Sequence, residues 1–355
     1  MERQDQLKQW IVQVLNADQP EQNTAGWPTG WKWELVSGDA SFRKYYRLYN
    51  SGKTPLIAVD APPATEDNPL FAALSETWRT AGLPLPEVLA LNADAGFMLV
   101  EDLGNTALAD KLSAATAPDY YRQALNLLPA LQALPAETAL GTLPAYDEAM
   151  LWRELEIFTE WFLQGLLGIP MTVELRAQLD DAWKHLVTAA LEQPQVLVHR
   201  DFHSRNLMLV NENALAIIDF QGAVKGPVTY DVVSLLRDCY VCWPQALVQQ
   251  LSEEARQMLC TTTTGDIAPS QWQRWFDYTG MQRHVKAIGI FARLHLRDGK
   301  SNYLNDIPRT LNYVLQECGK YQEFTPLLNV LLDQVMPALR QYKLISEQAK
   351  KDLAT

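Results

Sequence analysis

The sequence predicts an α+β protein with two lobes, a small antiparallel β-rich N-terminal lobe and a larger helical C-terminal lobe. Short β-branched or aromatic segments separated by turn residues fill residues 31–101, whereas long segments with helical periodicity dominate from residue 105 onward. With 355 residues, the chain is long enough for two such lobes. We therefore expect the lobes to comprise residues 1–101 and 102–355.

The N-terminal lobe is expected to open with an amphipathic helix and to continue as a sheet. Apolar residues recur at helical spacing from Leu7 to Leu15, so this helix needs a surface on which to dock. A further helix, at about 68–81, follows the third strand. The predicted strands are residues 31–36, 42–49, 56–60, 88–91 and 97–101.

The C-terminal lobe is expected to be helical with one embedded group of strands. Those strands are residues 196–198, 207–210 and 215–218. An active site in such a plan belongs in the cleft between the lobes. The predicted helices lie at about 119–133, 146–166, 173–192, 230–241, 245–259, 270–296 and 306–321, followed by a C-terminal helical stretch.

Composition argues against two classes of partner. The 42 acidic and 30 basic side chains give a net charge of −12, which disfavours nucleic acid and anionic lipid as partners. Any anionic ligand must therefore bind beside a local positively charged side chain. The chain has no run of 18 apolar residues and no signal-peptide pattern, so we expect a cytoplasmic protein without a membrane segment.

Four cysteines are present, and two of them form a C-x-x-C pair. We expect Cys239 and Cys242 to fall on one face of an apolar helix. No histidine lies at a zinc-like offset from them, so we interpret all four as reduced core thiols rather than as a metal or redox site.

The residues from His199 to Asn206, followed by Asp219, are the strongest functional signal. Asp201 precedes Asn206 by five residues, and Asp219 follows it by thirteen. Phosphoryl transfer needs a carboxylate at the acceptor hydroxyl and oxygen ligands that hold Mg²⁺ against the nucleotide phosphates. A hairpin between Asn206 and Asp219 returns both side chains to the same end. Zinc binding by His199 and His203 is the alternative, but the segment lacks the intervening glutamate of a zincin.

This pattern resembles the catalytic loop H-R-D-x-x-x-x-N and the Asp-Phe-Gly metal motif of protein kinases, which the aminoglycoside phosphotransferase-like small-molecule kinases share. Within that family, the segments HRDFHSRNLM, IDFQGA, GPVTYDVVSLLRD and IGIFARLHLRDGKSNYL look most like the bacterial amino-sugar kinases of cell-wall recycling. The resemblance covers roughly residues 30–315. It implies a protein-kinase-like fold and ATP- and Mg²⁺-dependent phosphorylation of N-acetylmuramate or N-acetylglucosamine at C1.

The resemblance also implies roles for individual residues. Asp201 would orient or deprotonate the acceptor hydroxyl, and Asn206 and Asp219 would bind Mg²⁺. The two residues before Asp201 would be framework. Asp231 would hydrogen-bond the backbone of the catalytic loop, although its place just before an apolar helix is equally typical of an N-cap.

The nucleotide side departs from the kinase pattern. Residues 37–48 occupy the place of a phosphate-covering turn, but they contain one glycine rather than three, so an ordinary hairpin turn is the alternative. The third strand carries Val59 and Asp60 where kinases place a phosphate-contacting lysine. The following helix offers no convincing glutamate partner for such a lysine, because Glu76 lies late in it.

We therefore assign nucleotide binding to other residues. Ser41 lies in the turn, and Arg43 or Lys44 beside it would supply the missing positive charge. Successive strand residues point to opposite faces, so only one of these two cations can face the nucleotide, and we favour Arg43. Backbone groups of Val100 and Glu101 would pair with the adenine edge.

The acceptor site is expected in the helical lobe. A muramate acceptor carries a carboxylate, for which Arg205, Arg293 and Arg297 are candidate partners. A solvated helix face is the alternative for Arg293 and Arg297. Two other functions stay open: a kinase of an aminoglycoside or another small alcohol, and a non-catalytic nucleotide-binding module. Oligomeric state is not predicted.

Overall fold

The computed structural model describes residues 2–17, 27, 30–37, 43–210 and 214–353. The chain forms two compact units, each built from several segments. The first unit comprises Met1–Lys111, Leu134–Leu143 and Arg205–Gly222, and the second comprises Leu112–Ala133, Pro144–Ser204 and Ala223–Thr355.

The first unit contains a five-stranded antiparallel sheet of order β1-β2-β3-β5-β4. This confirms the small antiparallel sheet that the sequence predicts. Two short hairpins, β6–β7 and β9–β10, complete the strands of this unit. The strands are β1 (Lys32–Ser37), β2 (Lys44–Tyr49), β3 (Leu56–Asp60), β4 (Val88–Asn92), β5 (Phe97–Glu101), β6 (Glu137–Thr138), β7 (Gly141–Thr142), β9 (Leu207–Val210) and β10 (Ala214–Ile217).

Among the described residues of this unit, two α-helices pack against the sheet or beside it. The opening helix α1 (Arg3–Ala17) buries Leu7 and Ile11 in an apolar cluster with residues of the sheet, as its periodicity requires. At its start, Arg3 donates through Nε to Oδ1 of Asp60 at 2.9 Å. The second helix, α2 (Asn68–Thr80), begins after Asp67, whose side chain accepts a hydrogen bond from the amide of Leu70 and so caps the helix.

The second unit is mostly helical and is organised around one long helix, α9. The short strands β8 and β11 pair antiparallel in this unit. The elements are α3 (Ala117–Leu125), α4 (Leu128–Gln132), α5 (Glu148–Ile157), α6 (Val173–Leu191), β8 (Gln195–Val198), β11 (Val224–Pro227), α7 (Tyr230–Leu236), α8 (Gln245–Leu259), α9 (Pro269–Asp298), α10 (Ile307–Cys318), α11 (Thr325–Val330), α12 (Met336–Gln341) and α13 (Glu347–Lys350).

Helix α9 is closely packed against the C-terminal end of α5, where the chain continues as a π-helix over Phe158–Leu166. Gly289 makes this approach possible, because a Cβ atom there would lie 2.5 Å from the backbone nitrogen of Phe158. The backbone carbonyl carbon of Ile157 would be 2.6 Å away. Neither backbone atom can move aside cheaply, so only glycine fits at this crossing.

Two predicted helices end differently in the structure. The helix expected at 119–133 is divided into α3 and α4, with a proline in the first turn of α4, where the missing amide is tolerated. The helix expected at 230–241 ends at Leu236, because Arg237 leaves the helical conformation with φ −120° and ψ 52°. The expectation that Cys239 and Cys242 share a helical face is therefore wrong. Cys242 is also exposed, so it is not a core thiol.

Over the ranges that the structure describes, no helix is both long enough and apolar enough to cross a membrane.

Candidate active site

The first unit contains a cavity of about 720 Å³, here called the first cavity. This volume lies within the range typical of small-molecule sites. Alternate residues of β2 line it, namely Tyr45 and Arg47, and Arg43 just before the strand continues the same alternation. Strands β3 and β5 add apolar walls, including Val59 and Val100. The cavity thus has an apolar interior with a few charged groups at defined positions.

Asn206 and Asp219 line the first cavity together. They flank the hairpin formed by β9 and β10, whose register pairs Leu207 with Ile217. The amide of Ile218 donates to the backbone carbonyl of Asn206 at 3.0 Å, which closes the base of the hairpin. The hairpin thus brings both expected ligand residues to one cavity, as the sequence spacing predicts.

The donor set of these two residues suits Mg²⁺. A carboxylate and an amide both offer hard oxygen atoms, and Mg²⁺ usually takes one or two protein ligands while retaining water and phosphate oxygens. Asp219 has φ +62°, an unusual conformation for a residue other than glycine. Gln221 donates to its Oδ1 at 2.6 Å. Such backbone strain is often found at functional sites.

Arg43 provides a buried positive charge in the first cavity. Its side chain is 2% exposed and forms an ion pair with Glu66 at 2.9 Å. Lys44 is exposed and does not line the cavity. Val59 of β3 lines the cavity without a charge, and Asp60 is engaged by Arg3. The pair of Arg43 and Glu66 therefore gives this cavity a buried positive charge, whereas Val59 of β3 gives it none. Ser41 lies outside the described residues.

Two phenylalanine rings connect Arg43 to the segment that carries Asp219. The Arg43 guanidinium lies over the ring of Phe71 in α2, 5.2 Å from its centroid. Phe71 in turn stacks on Phe220 with a centroid separation of 4.6 Å. Because Phe220 immediately follows Asp219, packing in this column constrains both the cation and the carboxylate.

The end of β5 is held by Arg47, which sequence reasoning did not single out. Arg47 donates to both carboxylate oxygens of Asp102, with the second bond at 2.8 Å, and to the Asn105 side chain at 2.6 Å. Val100 and Glu101, the residues expected to contact adenine, line the first cavity. The amide of Glu101 already donates to the Glu87 carbonyl at 2.9 Å, so that amide is not available to a ligand.

In the second unit, the backbone of the catalytic loop is fixed by Asp231. Its buried carboxylate accepts hydrogen bonds from the amides of His199 at 2.7 Å and Arg200 at 3.0 Å. Thr229 occupies the N-cap position of α7, so Asp231 is not an N-cap. Arg200 has φ +76°, and these two hydrogen bonds help to hold that conformation.

Asp201 lines a smaller cavity of about 150 Å³ in the second unit, here called the second cavity. Burial of the Asp201 carboxylate disfavours its charged form, so desolvation alone would raise the pKa of Asp201. Lys286, followed by His203, His199 and Arg283, reverses this effect and lowers the pKa below its usual value. Asp201 is therefore ionised at neutral pH, as an acceptor of a hydroxyl proton must be.

Glu154 organises the cations near this cavity. Its buried carboxylate pairs with Arg200 and, at 2.9 Å, with Nζ of Lys286. Lys286 lies on α9 three residues after Arg283, and both line the second cavity. The sequence did not reveal these residues, since Glu154 and α9 are remote from the catalytic loop along the chain. The sequence feature that could have identified Arg283 and Lys286 is their i, i+3 spacing on an otherwise buried helix.

The three arginines expected at the acceptor do not line either of these two cavities. Among the described residues, Arg205, Arg293 and Arg297 are absent from the lining of both cavities. Arg297 is exposed and forms an ion pair with the neighbouring Asp298 at 2.8 Å. Proximity of Arg297 and desolvation both disfavour the charged form of Arg293, and desolvation is the larger cause of its lowered pKa.

Comparison with known proteins gives a consistent picture. Residues 32–268 match the model of the phosphotransferase enzyme family, described as APH. The chain is 39% identical to an N-acetylmuramate/N-acetylglucosamine kinase of Pseudomonas aeruginosa, covering 93% of this chain and 96% of that protein. A protein of the same name from Neisseria meningitidis is 35% identical over 94% and 97% of the two chains.

Solved structures show the same fold. An ethanolamine kinase of Plasmodium vivax superposes with a TM-score of 0.62 at 13% identity, covering 87% of this chain and 86% of that one. A GDP complex of an aminoglycoside 2′-phosphotransferase superposes with a TM-score of 0.55 at 15% identity, covering 88% and 99%. The expected α+β fold with a kinase-like architecture is thereby confirmed.

Proposed function

Because the chain belongs to the phosphotransferase enzyme family, we propose that it is an ATP- and Mg²⁺-dependent kinase of amino sugars. The acceptor is the anomeric hydroxyl of N-acetylmuramate or N-acetylglucosamine, and the product is the sugar 1-phosphate formed in peptidoglycan recycling. Similarity to kinases of that name over more than nine-tenths of the chain carries the choice of acceptor.

Asp201 acts on the acceptor. Its ionised carboxylate accepts a hydrogen bond from the sugar hydroxyl and takes the proton as the phosphoryl group is transferred. Lys286 supports this role, because its ammonium is the largest of the cationic influences that keep the carboxyl ionised. Asp231 holds the loop that carries Asp201 through two backbone hydrogen bonds.

The phosphates of ATP bind in the first cavity. Asn206 and Asp219 would hold Mg²⁺ there, and bound Mg²⁺ neutralises charge on the phosphate oxygens. Arg43 supplies a further positive charge, and Glu66 fixes the direction of its guanidinium through their ion pair. Ser41 would contribute to the cover of the phosphates.

The base of the nucleotide would lie against the apolar walls of the first cavity near Val100 and Glu101. The Glu101 amide already donates a hydrogen bond to the Glu87 carbonyl. Hydrogen bonds from the backbone to adenine would therefore come from other backbone groups of this segment. Because ATP is supplied in the cytoplasm, we expect the reaction to take place there. The net charge of −12 also fits the alternative acceptor, a polycationic aminoglycoside.

Incubation of the protein with labelled Mg-ATP and a panel of amino sugars and aminoglycosides tests this proposal. We expect phosphoryl transfer to N-acetylmuramate and N-acetylglucosamine, and phosphorus NMR should locate the phosphate of the product at C1. Transfer to an aminoglycoside in preference to both sugars would assign the alternative acceptor. Nucleotide binding without transfer to any acceptor would indicate a non-catalytic module.

A further inference from the structure

We infer that Arg283 selects acceptors that carry a carboxylate by pairing with that group in the second cavity. The inference rests on the proposed function, since it concerns the acceptor of that reaction. It concerns the difference between the two sugars: muramate carries a lactyl carboxylate, whereas N-acetylglucosamine is neutral.

The cations of the second cavity differ in what they already bind. Lys286 is paired with Glu154 at 2.9 Å. For Arg283, the structure records no ion pair with any described carboxylate, and its buried Nε has no hydrogen-bond partner among the described residues. A buried guanidinium donor without an acceptor is costly, so Arg283 is poised to receive an anionic group from a ligand.

The direction of Arg283 is fixed by its neighbours. Its guanidinium lies over the ring of Tyr230, 5.0 Å from the centroid. A guanidinium held over one ring still has N–H donors around its plane that can serve a carboxylate. Two acids line the same cavity as Arg283. The charge of Asp201 acts on Arg283, and Asp238 accepts hydrogen bonds from the Ser204 amide at 3.2 Å and the Tyr240 amide at 2.9 Å.

The rest of the second cavity suits a sugar. Tyr240 and Phe291 provide aromatic surface, with centroids 6.4 Å apart, on which a pyranose face can pack. Asp201 supplies the acceptor for a sugar hydroxyl. At about 150 Å³, the cavity holds part of an acceptor, such as one ring edge with its substituent.

The test compares kcat/KM for N-acetylmuramate and N-acetylglucosamine in Arg283→Gln. We expect the value for the acid sugar to fall by about 10- to 100-fold, which is the effect of losing one charge-assisted hydrogen bond. The value for the neutral sugar should fall less, because that sugar loses only the influence of Arg283 on Asp201. The ratio between the two sugars is independent of the fraction of enzyme that is folded. Arg283→Lys, which keeps the charge but loses the fork, should give an intermediate ratio.

Arg274→Gln is the matched control. Arg274 lies on the same helix and stacks on Tyr278 at 4.5 Å, but it does not line the second cavity, so the ratio should stay unchanged. If Arg283→Gln left the ratio of kcat/KM for the two sugars unchanged, the inference would be overturned. It would also be overturned if Arg293→Gln, rather than Arg283→Gln, selectively lowered kcat/KM for N-acetylmuramate. If the wild-type protein phosphorylates neither sugar, the proposed function fails and this inference fails with it.

Discussion

Replacing Arg43 with glutamine should weaken the use of ATP without affecting the acceptor. Arg43 is 2% exposed, paired with Glu66 and packed over Phe71, so its charge is held in the first cavity rather than in solvent. A hydrogen bond between a guanidinium and a phosphate is worth about 1.5–3 kcal/mol, which corresponds to about 10- to 150-fold in kcat/KM for ATP. Turnover should also fall, because charge on the transferring group is redistributed in the transition state.

Steady-state kinetics with varied Mg-ATP measure this effect. Glu66→Gln keeps the cation but loosens its orientation, so we expect a smaller increase in KM for ATP. Lys44→Gln is the control, since Lys44 is the exposed neighbour outside the cavity. A change of less than about threefold in Arg43→Gln, roughly 0.7 kcal/mol, would refute Arg43 as the cation that replaces the third-strand lysine.

Three further predictions follow from metal binding, pH and packing. Asp219→Ala should abolish Mg²⁺-dependent nucleotide binding in calorimetry, whereas Asn206→Ala, which loses a neutral ligand, should be partly rescued by excess Mg²⁺. Unchanged binding in Asp219→Ala would contradict the metal assignment. Lys286→Met removes a cation that lowers the pKa of Asp201, so the acid limb of the rate profile should move to higher pH. If the acid limb of the Lys286→Met profile stayed at its wild-type pH, Lys286 would not control the pKa of Asp201. Gly289→Ala should lower the free energy of unfolding by about 1–3 kcal/mol, measured by denaturant titration, because its Cβ would meet backbone atoms at 2.5 Å. Wild-type stability would show that the crossing can relax.

Local pattern predicted the elements well where a single periodicity dominated. The alternation in β2 and the apolar run in β3 identified the sheet, and helical spacing identified the first turns of most helices. The hairpin between Asn206 and Asp219 followed from strand character on both sides of a turn. The helix after Asp231 was extended too far, because its apolar residues continue past Leu236 although the backbone does not.

The missing parts of the site depend on residues that are distant along the chain. Glu66 precedes α2, outside any periodic segment, so nothing marked it as the partner of Arg43. Glu154, Arg283 and Lys286 come from α5 and α9, and a sequence by itself does not show that these helices place their polar residues beside the catalytic loop. Tertiary packing decides such contacts, and spacing in the sequence does not report it.

The role of Asp201 is the central claim, and single-turnover phosphoryl transfer by Asp201→Asn tests it most directly. The substitution keeps the size of the side chain and removes the carboxylate that accepts the proton. We expect the transfer rate to fall by roughly 10²- to 10⁴-fold, with the affinity for Mg-ATP unchanged. A transfer rate near that of the wild-type protein would contradict the account.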